Sequence, residues 1–209
     1  MQKKNKSMDY LKYFPRIEPT DFRTEHKILV TDEVRDWIRM QLNSGSLARL
    51  FADRIVVSTY YDTEDLTCWR DSEEGMVPRF KLRKRCYQEN SSYSESKFEF
   101  KATLAEGRVK LITDSGFAHM FALNPVATVS YKRSYFSFGD SRLTFDREIL
   151  YRSYVGIGQA REENSVLEIK HPRTAYGRKI KELAYFRDTR FSKYSNAIEK
   201  LGLGLAAGG

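Results

Sequence analysis

The sequence predicts an α+β fold of mainly antiparallel β structure: a closed β-barrel with a basic interior, flanked and plugged by helices. Three observations point to it. Segments of strand length rich in Val, Ile, Tyr and Phe recur along the chain, separated by turn signals. Within them, apolar residues take one parity and charged residues the other, the alternation of a sheet with two unlike faces. The charged positions are mostly Arg, Lys and Glu rather than the Thr, Ser and Gln that commonly cover a solvated sheet. An antiparallel sheet removes its edges by closing on itself, and closure with the charged parity inward makes a basic tunnel.

The elements follow in order. Residues 1–21 form a basic N-terminal arm, opened by Lys3, Lys4 and Lys6 and kept irregular by Pro15 and Pro19. FRTEHKILV reads as a strand. Thr31 caps a helix over DEVRDWIRMQLNSG, with Asp32 and Glu33 in the first turn, Gly45 as the stop, and Val34, Trp37, Ile38 and Leu42 as its apolar face. RIVVSTYYD is a strand, and DTEDLTCWRDSEEG a polar connection with a short helical turn. Residues 78–106 make a hairpin around ENSSYSE, and a short helix is expected near SGFAHMFAL. TVSYKRSYFSFG and SRLTFDREIL form a second hairpin through Gly139 and Asp140. SVLEIKHP is a strand ended by Pro172, and FSKYSNAIEKLG a helix with Tyr194, Ile198 and Leu201 on one face. Residues 203–209 read as a flexible tail, leaving 22–202 as one folded domain.

Charge narrows the function. Among 209 residues, 36 are Lys or Arg and 28 are Asp or Glu, a net charge of +8. That balance favours an anionic partner: a nucleotide, polyphosphate, nucleic acid or membrane surface. Cys68 and Cys86 make neither a disulfide framework nor a metal cluster. No apolar run approaches the roughly 20 residues of a transmembrane segment, and the basic N-terminus has no apolar stretch behind it, so a cytoplasmic protein is expected.

The chemistry lies in which charges share a strand face. Arg23, Glu25 and Lys27 do, as do Arg79, Lys81, Arg83 and Arg85, then Lys97, Glu99 and Lys101. Tyr131 with Arg133, Arg142 with Thr144 and Asp146, and Glu168 with Lys170 repeat the pattern. Arg forks match phosphate oxygens, Lys supplies movable point charges, and the carboxylates suit a hard divalent ion. Aromatics interleave with the cations (Phe80, Tyr87, Tyr131, Tyr135), as in single-strand nucleic-acid binders. The apolar positions nevertheless fall mostly on the parity opposite the cations, as core residues should, with Phe80 and Leu82 turned outward; no specific nucleic acid is expected. His26, His119 and His171 lack metal-ligand spacing, and Trp37 and Trp69 read as packing residues.

In order, the motifs are R-x-E-x-K (Arg23, Glu25, Lys27), S-T-Y-Y-D-T (58–63), R-x-K-x-R (Arg79, Lys81, Arg83), F-E-x-K (Glu99, Lys101), Y-x-R (Tyr131, Arg133), R-x-T-x-D (Arg142, Thr144, Asp146), L-E-I-K (Glu168, Lys170) and F-S-K-Y (Ser192, Lys193). Over residues 22–202 this series strongly resembles the VTC domain, the polyphosphate polymerase module of the vacuolar transporter chaperone complex. That domain is one of the triphosphate tunnel metalloenzymes, relatives of the CYTH proteins. The resemblance implies transfer of the γ-phosphoryl of ATP onto inorganic polyphosphate, with Mn²⁺ or Mg²⁺. It implies Lys27, Arg79, Lys81, Arg83 and Lys193 at the reacting phosphates. Arg23, Lys101, Arg133, Arg142, Lys170, Arg190 and Ser192 would bind phosphate elsewhere, and Glu168, with Glu25 and Glu99 behind it, would hold the metal. Tyr60 or Tyr61 would pack near the adenine, and Arg85 would sit at the tunnel mouth. CYTH relatives open with E-x-E-x-K, where this chain has Arg23 in place of the first Glu; that departure favours the VTC branch over triphosphatases and cyclases. A triphosphatase or polyphosphate hydrolase of the same fold, and a non-catalytic sensor, remain alternatives.

Overall fold

Alternation of apolar and polar residues commits each long strand to two faces, and the computed structural model is built around that division. It describes residues 23–89, 92–105, 107–172 and 186–206. The strands are β1 (Arg23–Leu29), β2 (Ala48–Asp62), β3 (Arg79–Glu89), β4 (Ser92–Tyr93), β5 (Lys97–Leu104), β6 (Gly107–Thr113), β7 (Asn124–Phe138), β8 (Ser141–Ser153), β9 (Gln159–Arg161) and β10 (Val166–Pro172). The helices are α1 (Asp32–Asn43), α2 (Thr67–Glu73), α3 (Gly116–Met120), α4 (Lys193–Lys200) and α5 (Leu203–Ala206). One antiparallel sheet runs β1-β10-β8-β7-β2-β3-β5-β6, with β4 on β3 and β9 on β8.

The predicted closure does not occur among the described residues. β1 pairs only with β10 and β6 only with β5. The free edge of β1 is taken by the segment before α4: the Lys27 amide donates to Asp188 Oδ1 at 2.9 Å, and the Thr189 amide to the Lys27 carbonyl at 2.7 Å. With that edge used, β6 has no strand to meet. The result is a strongly curled half-barrel. Register shifts in β2 and between β7 and β8 mark bulges of the kind that bend and twist strands. The bulge at Glu148, whose φ is 55°, resets the alternation of β8, so Asp146 and Tyr151 both face the concave side.

Apolar side chains pack on both faces. On the convex side, α1 sets Val34, Trp37 and Ile38 against Ile28, Phe136, Phe138, Leu143 and Leu167. Gln41 is buried there while Leu42, expected on that face, is exposed. α3 covers Phe80, Leu82, Phe100 and Ala102, as the outward parity of Phe80 and Leu82 requires. On the concave side, Tyr194, Ala197 and Ile198 of α4 pack onto Val56, Val129, Tyr131 and Tyr151 and fill one end of the trough. Leu203–Ala206, read from the sequence as flexible tail, forms a short helix with Leu203 against that core. The expected arm over 1–21 and the last three residues lie outside the described residues.

Candidate active site

The polar part of the concave face bounds a cavity of about 510 Å³. Strand register builds it in rungs. Lys81 pairs with Lys101, and Lys101 with Lys110; Arg83 pairs with Glu99; Lys27 pairs with Glu168, and Glu25 with Lys170. Neighbouring strands lie about 4.8 Å apart, so the three lysines stand side by side, an arrangement that is unfavourable without an anion.

Carboxylates offset part of this charge. Glu99 accepts from Arg83 Nε at 2.7 Å and Nη2 at 2.5 Å and from Lys110 at 2.6 Å, with Arg85 at 3.9 Å. Burial pushes the Glu99 carboxyl up, but Arg83, Lys110 and Arg85 outweigh it and hold it at about 2. Asp146, fully buried, takes two bonds from Arg133 at 2.6 and 2.7 Å and one from Lys193 at 2.6 Å. Glu168 lies 2.7 Å from Lys170 and 4.0 Å from Arg133. Burial opposes its ionisation, yet Lys170, Arg133 and Lys193 keep it well below the usual carboxylate range. Lys101 makes no hydrogen bond or ion pair among the described residues. It faces the open cavity with protein on several sides, and burial, then Arg83 and Lys170, push its ammonium down to about 8.

α4 brings its first turn to the same place. Ser192 caps the helix by accepting from the Ser195 amide at 3.3 Å, and its Oγ also takes a bond from Lys81 Nζ at 3.0 Å. Lys27 Nζ donates to the Phe191 carbonyl at 2.7 Å, and Lys193 Nζ stands 4.6 Å from the Tyr131 ring centre. Behind the cavity, Asp62 accepts from the Cys68 and Trp69 amides and, at 2.6 Å, from the Tyr194 hydroxyl, which ties α2 to α4.

Of the residues expected at the site, Lys27, Arg79, Lys81, Arg83, Lys101, Arg133, Lys170, Arg190, Ser192, Lys193, Glu25, Glu99 and Glu168 all line this cavity. Arg142 does not; it is exposed further along the concave face, 5.6 Å from the Tyr135 ring centre. Arg23 begins β1, but its side chain lies outside those described. Of the two candidate aromatics, Tyr60 lines the cavity, and Tyr61 is on the other face against Phe98.

The order along β3 is the reverse of expectation. Arg85, expected at the mouth, is buried and donates to Ser58 Oγ at 2.9 Å and Tyr131 Oη at 3.1 Å. Arg79 is the outer member, donating to the Gly75 and Met76 carbonyls. Arg108 and Lys110 also line the cavity and were missed; their alternation on either side of Val109 was the available signal.

The comparisons with known proteins agree with this architecture. A family model described as the VTC domain matches residues 22–118 and 115–202. No curated protein matches the chain. The chain is similar to the crystallised candidate adenylate cyclase of Vibrio parahaemolyticus, at 16% identity over 86% of this chain and 98% of that one, with a TM-score of 0.55. A candidate adenylate cyclase from Bacillus halodurans aligns at 18% identity over 84% of this chain and 95% of that one, with a TM-score of 0.49. The first of these carries the fold likeness, and the family match spans nearly all of the described chain. The protein belongs to the VTC domain family.

Proposed function

We propose that this VTC domain is a polyphosphate polymerase, transferring the γ-phosphoryl of ATP onto the end of an inorganic polyphosphate chain. The observation that carries the reading is the charge of the cavity lining: among the described residues, twelve Lys and Arg side chains against four Asp and Glu, an excess of eight. A concave, low-dielectric site with that surplus suits a ligand bearing many negative charges on a narrow backbone.

In the transfer, the bond from the γ-phosphorus to the β-phosphate bridging oxygen breaks as a terminal polyphosphate oxygen bonds to that phosphorus, and ADP leaves. Such a step needs little covalent help; alignment and neutralisation of charge on the transferred group supply the rate. Lys27, Lys81, Arg83 and Lys193 would hold the reacting phosphates, with Arg79 and Arg190 at the outer end. Arg85, Lys101, Arg133 and Lys170 would hold the chain, and Arg142 would meet it beyond the cavity. Ser192 would turn its hydroxyl from Lys81 to a phosphate oxygen.

The carboxylates fit a divalent ion unequally. Both oxygens of Glu99 are engaged by Arg83 and Lys110, so it serves as a counter-ion. Glu168 and Glu25 line the cavity from adjacent strands and offer a hard cation oxygen ligands that phosphate oxygens and water would complete. Bound there, Mg²⁺ or Mn²⁺ would neutralise charge between phosphate groups.

The test is to incubate the protein with ATP and Mn²⁺ or Mg²⁺ and resolve the products on a gel. A polyphosphate ladder with ADP supports the proposal. Free phosphate without a ladder identifies a hydrolase, and unchanged ATP with tightly bound polyphosphate identifies a sensor. Among the described residues no helix is long and apolar enough to cross a membrane.

A further inference from the structure

Tyr60 contributes a group to the cavity that none of the phosphate-cradle assignments uses. Its side chain is buried and its ring stacks on Tyr194, with centres 5.0 Å apart and planes 16° from parallel. Tyr194 is itself fixed by its hydrogen bond to Asp62. The Tyr60 ring therefore has little freedom, and its hydroxyl is held at the cavity wall.

The hydrogen bonding of that hydroxyl is incomplete in one direction. Tyr60 Oη accepts from Arg83 Nη1 at 3.4 Å, and Arg83 is fixed on its other side by Glu99. Among the described residues the phenol proton has no acceptor. A buried hydroxyl ordinarily finds one, because leaving a buried polar group unpaired is costly. The groups facing it are cations or other phenols: Lys81, Arg83 and Arg85 from β3, Lys193 and Tyr194 from α4, Tyr131 from β7 and Tyr151 from β8. Such surroundings offer two outcomes for the proton. It is lost, leaving a phenolate among cations, or it stays on the phenol and hydrogen-bonds an anion that enters the cavity.

We propose that the Tyr60 hydroxyl is a further contact of the anion site, donating a hydrogen bond to an oxygen of a bound oligophosphate while keeping its proton, and that the empty site releases that proton to water. The inference rests on the oligophosphate reading of the cavity. The balance is simple: a phenolate and a proton from solvent become a phenol, which hydrogen-bonds the incoming oxygen. Burial pushes the phenol up, but Arg83, Arg85 and Lys193 outweigh it and bring it to about 7, so both forms are accessible near neutral pH. An entering anion neutralises those cations and favours the protonated form. Binding is thereby coupled to proton uptake above pH 7 and uncoupled below it.

The experiment titrates the full chain with tripolyphosphate, followed by phenolate ultraviolet absorbance and by calorimetry in two buffers of different ionisation heat. Wild type at pH 8 should lose the phenolate signal of about one tyrosine as the site fills, and Tyr60→Phe should lose none. At pH 6 the variant should bind about tenfold more weakly, the loss of one hydrogen bond to a charged acceptor. Lys101 also takes up protons on binding, so the calorimetric readout is the difference between wild type and Tyr60→Phe. Tripolyphosphate binding with no absorbance change overturns the inference while leaving the anion site intact. Equal affinity of wild type and variant at pH 6 does the same. No binding to wild type overturns the oligophosphate reading and this inference with it. The wild-type absorbance titration decides the matter even where the variant fails to fold.

Discussion

Lys193 Nζ lies 2.6 Å from Asp146 Oδ2, on the same buried carboxylate that Arg133 grips with two hydrogen bonds. One anion thus fixes two cations, one from α4 and one from β7, and joins the plugging helix to the sheet. Both cations keep their charge in a buried setting because Asp146 neutralises part of it. Asp146→Asn should leave them facing each other with only the more distant Glu168 to offset them and destabilise the protein by about 3–5 kcal/mol, measured by denaturant unfolding. Tripolyphosphate should restore more stability to this variant than to wild type, because it supplies the missing negative charge. Equal stabilisation of the two proteins would show that Lys193 and Arg133 do not face the ligand.

Lys101 is the cation least provided for. Its ammonium is pushed down to about 8 by burial and then by Arg83 and Lys170. The ordinary lysine value is about 10.4, so between pH 8 and that value the unfolded chain binds more protons than the folded one. Stability of the unliganded protein should therefore rise with pH across this window, and Lys101→Met should remove that part of the rise. At pH 7 the same variant should be more stable than wild type yet bind tripolyphosphate at least tenfold more weakly. Chemical denaturation at several pH values, with calorimetry at pH 7, measures both. A variant that loses stability as well as binding would mean that Lys101 packs rather than waits for an anion.

Parity was readable in the sequence because a strand's side-chain period is two and the charged residues keep to it. That rule assigns a residue to a face and says nothing about its depth along the trough. The sequence therefore puts Arg85 at the mouth, and only the structure sets it inside, beside Ser58 and Tyr131. Closure is missing among the described residues for a different reason. The segment that occupies the edge of β1 does so through Asp188, which bonds to the amide of a residue 161 positions earlier. No local pattern encodes that contact. Lys110 is hard to read from the sequence because β6 is short and mixes cations with Val109, Leu111 and Ile112, so its alternation is weak until Lys101 stands beside it.

The depth of Arg85 leads to a graded expectation along β3. Arg79 is half-buried and bonded at the surface to backbone carbonyls of the preceding turn, whereas Arg85 lies inside among Ser58, Tyr131 and Glu99. Arg79→Ala should weaken tripolyphosphate binding severalfold, by a margin that shrinks with salt, since a charge whose head group lies at the surface acts mainly through screened attraction. Arg85→Ala should weaken it by about two orders of magnitude and lower thermal stability, because Glu99 and Tyr131 each lose a neighbour. Arg85→Lys should recover stability more than binding, since a point charge cannot reproduce the fork. Binding isotherms at two salt concentrations, with melting curves, separate the variants. Equal losses for Arg79→Ala and Arg85→Ala would contradict the order of depth.

Glu99 and Glu168, both read from the sequence as metal-ligand candidates with Glu168 first, stand in different settings. Glu99 is enclosed by Arg83 and Lys110, while Glu168 faces the cavity beside Lys170 with Glu25 on the next strand. If Glu168 holds the metal, Glu168→Gln should abolish Mn²⁺- or Mg²⁺-dependent turnover of ATP and leave metal-free tripolyphosphate binding within about threefold of wild type. The binding survives because Lys170 and Arg133, released from a carboxylate, still face the ligand. Glu99→Gln should do something else: it frees Arg83 and Lys110 to meet the anion, so metal-free affinity should rise while folding stability falls. Half-saturating metal concentrations, measured for turnover in each variant, provide the contrast. A Glu99→Gln variant that needs far more metal, beside a Glu168→Gln variant that does not, would exchange the two roles.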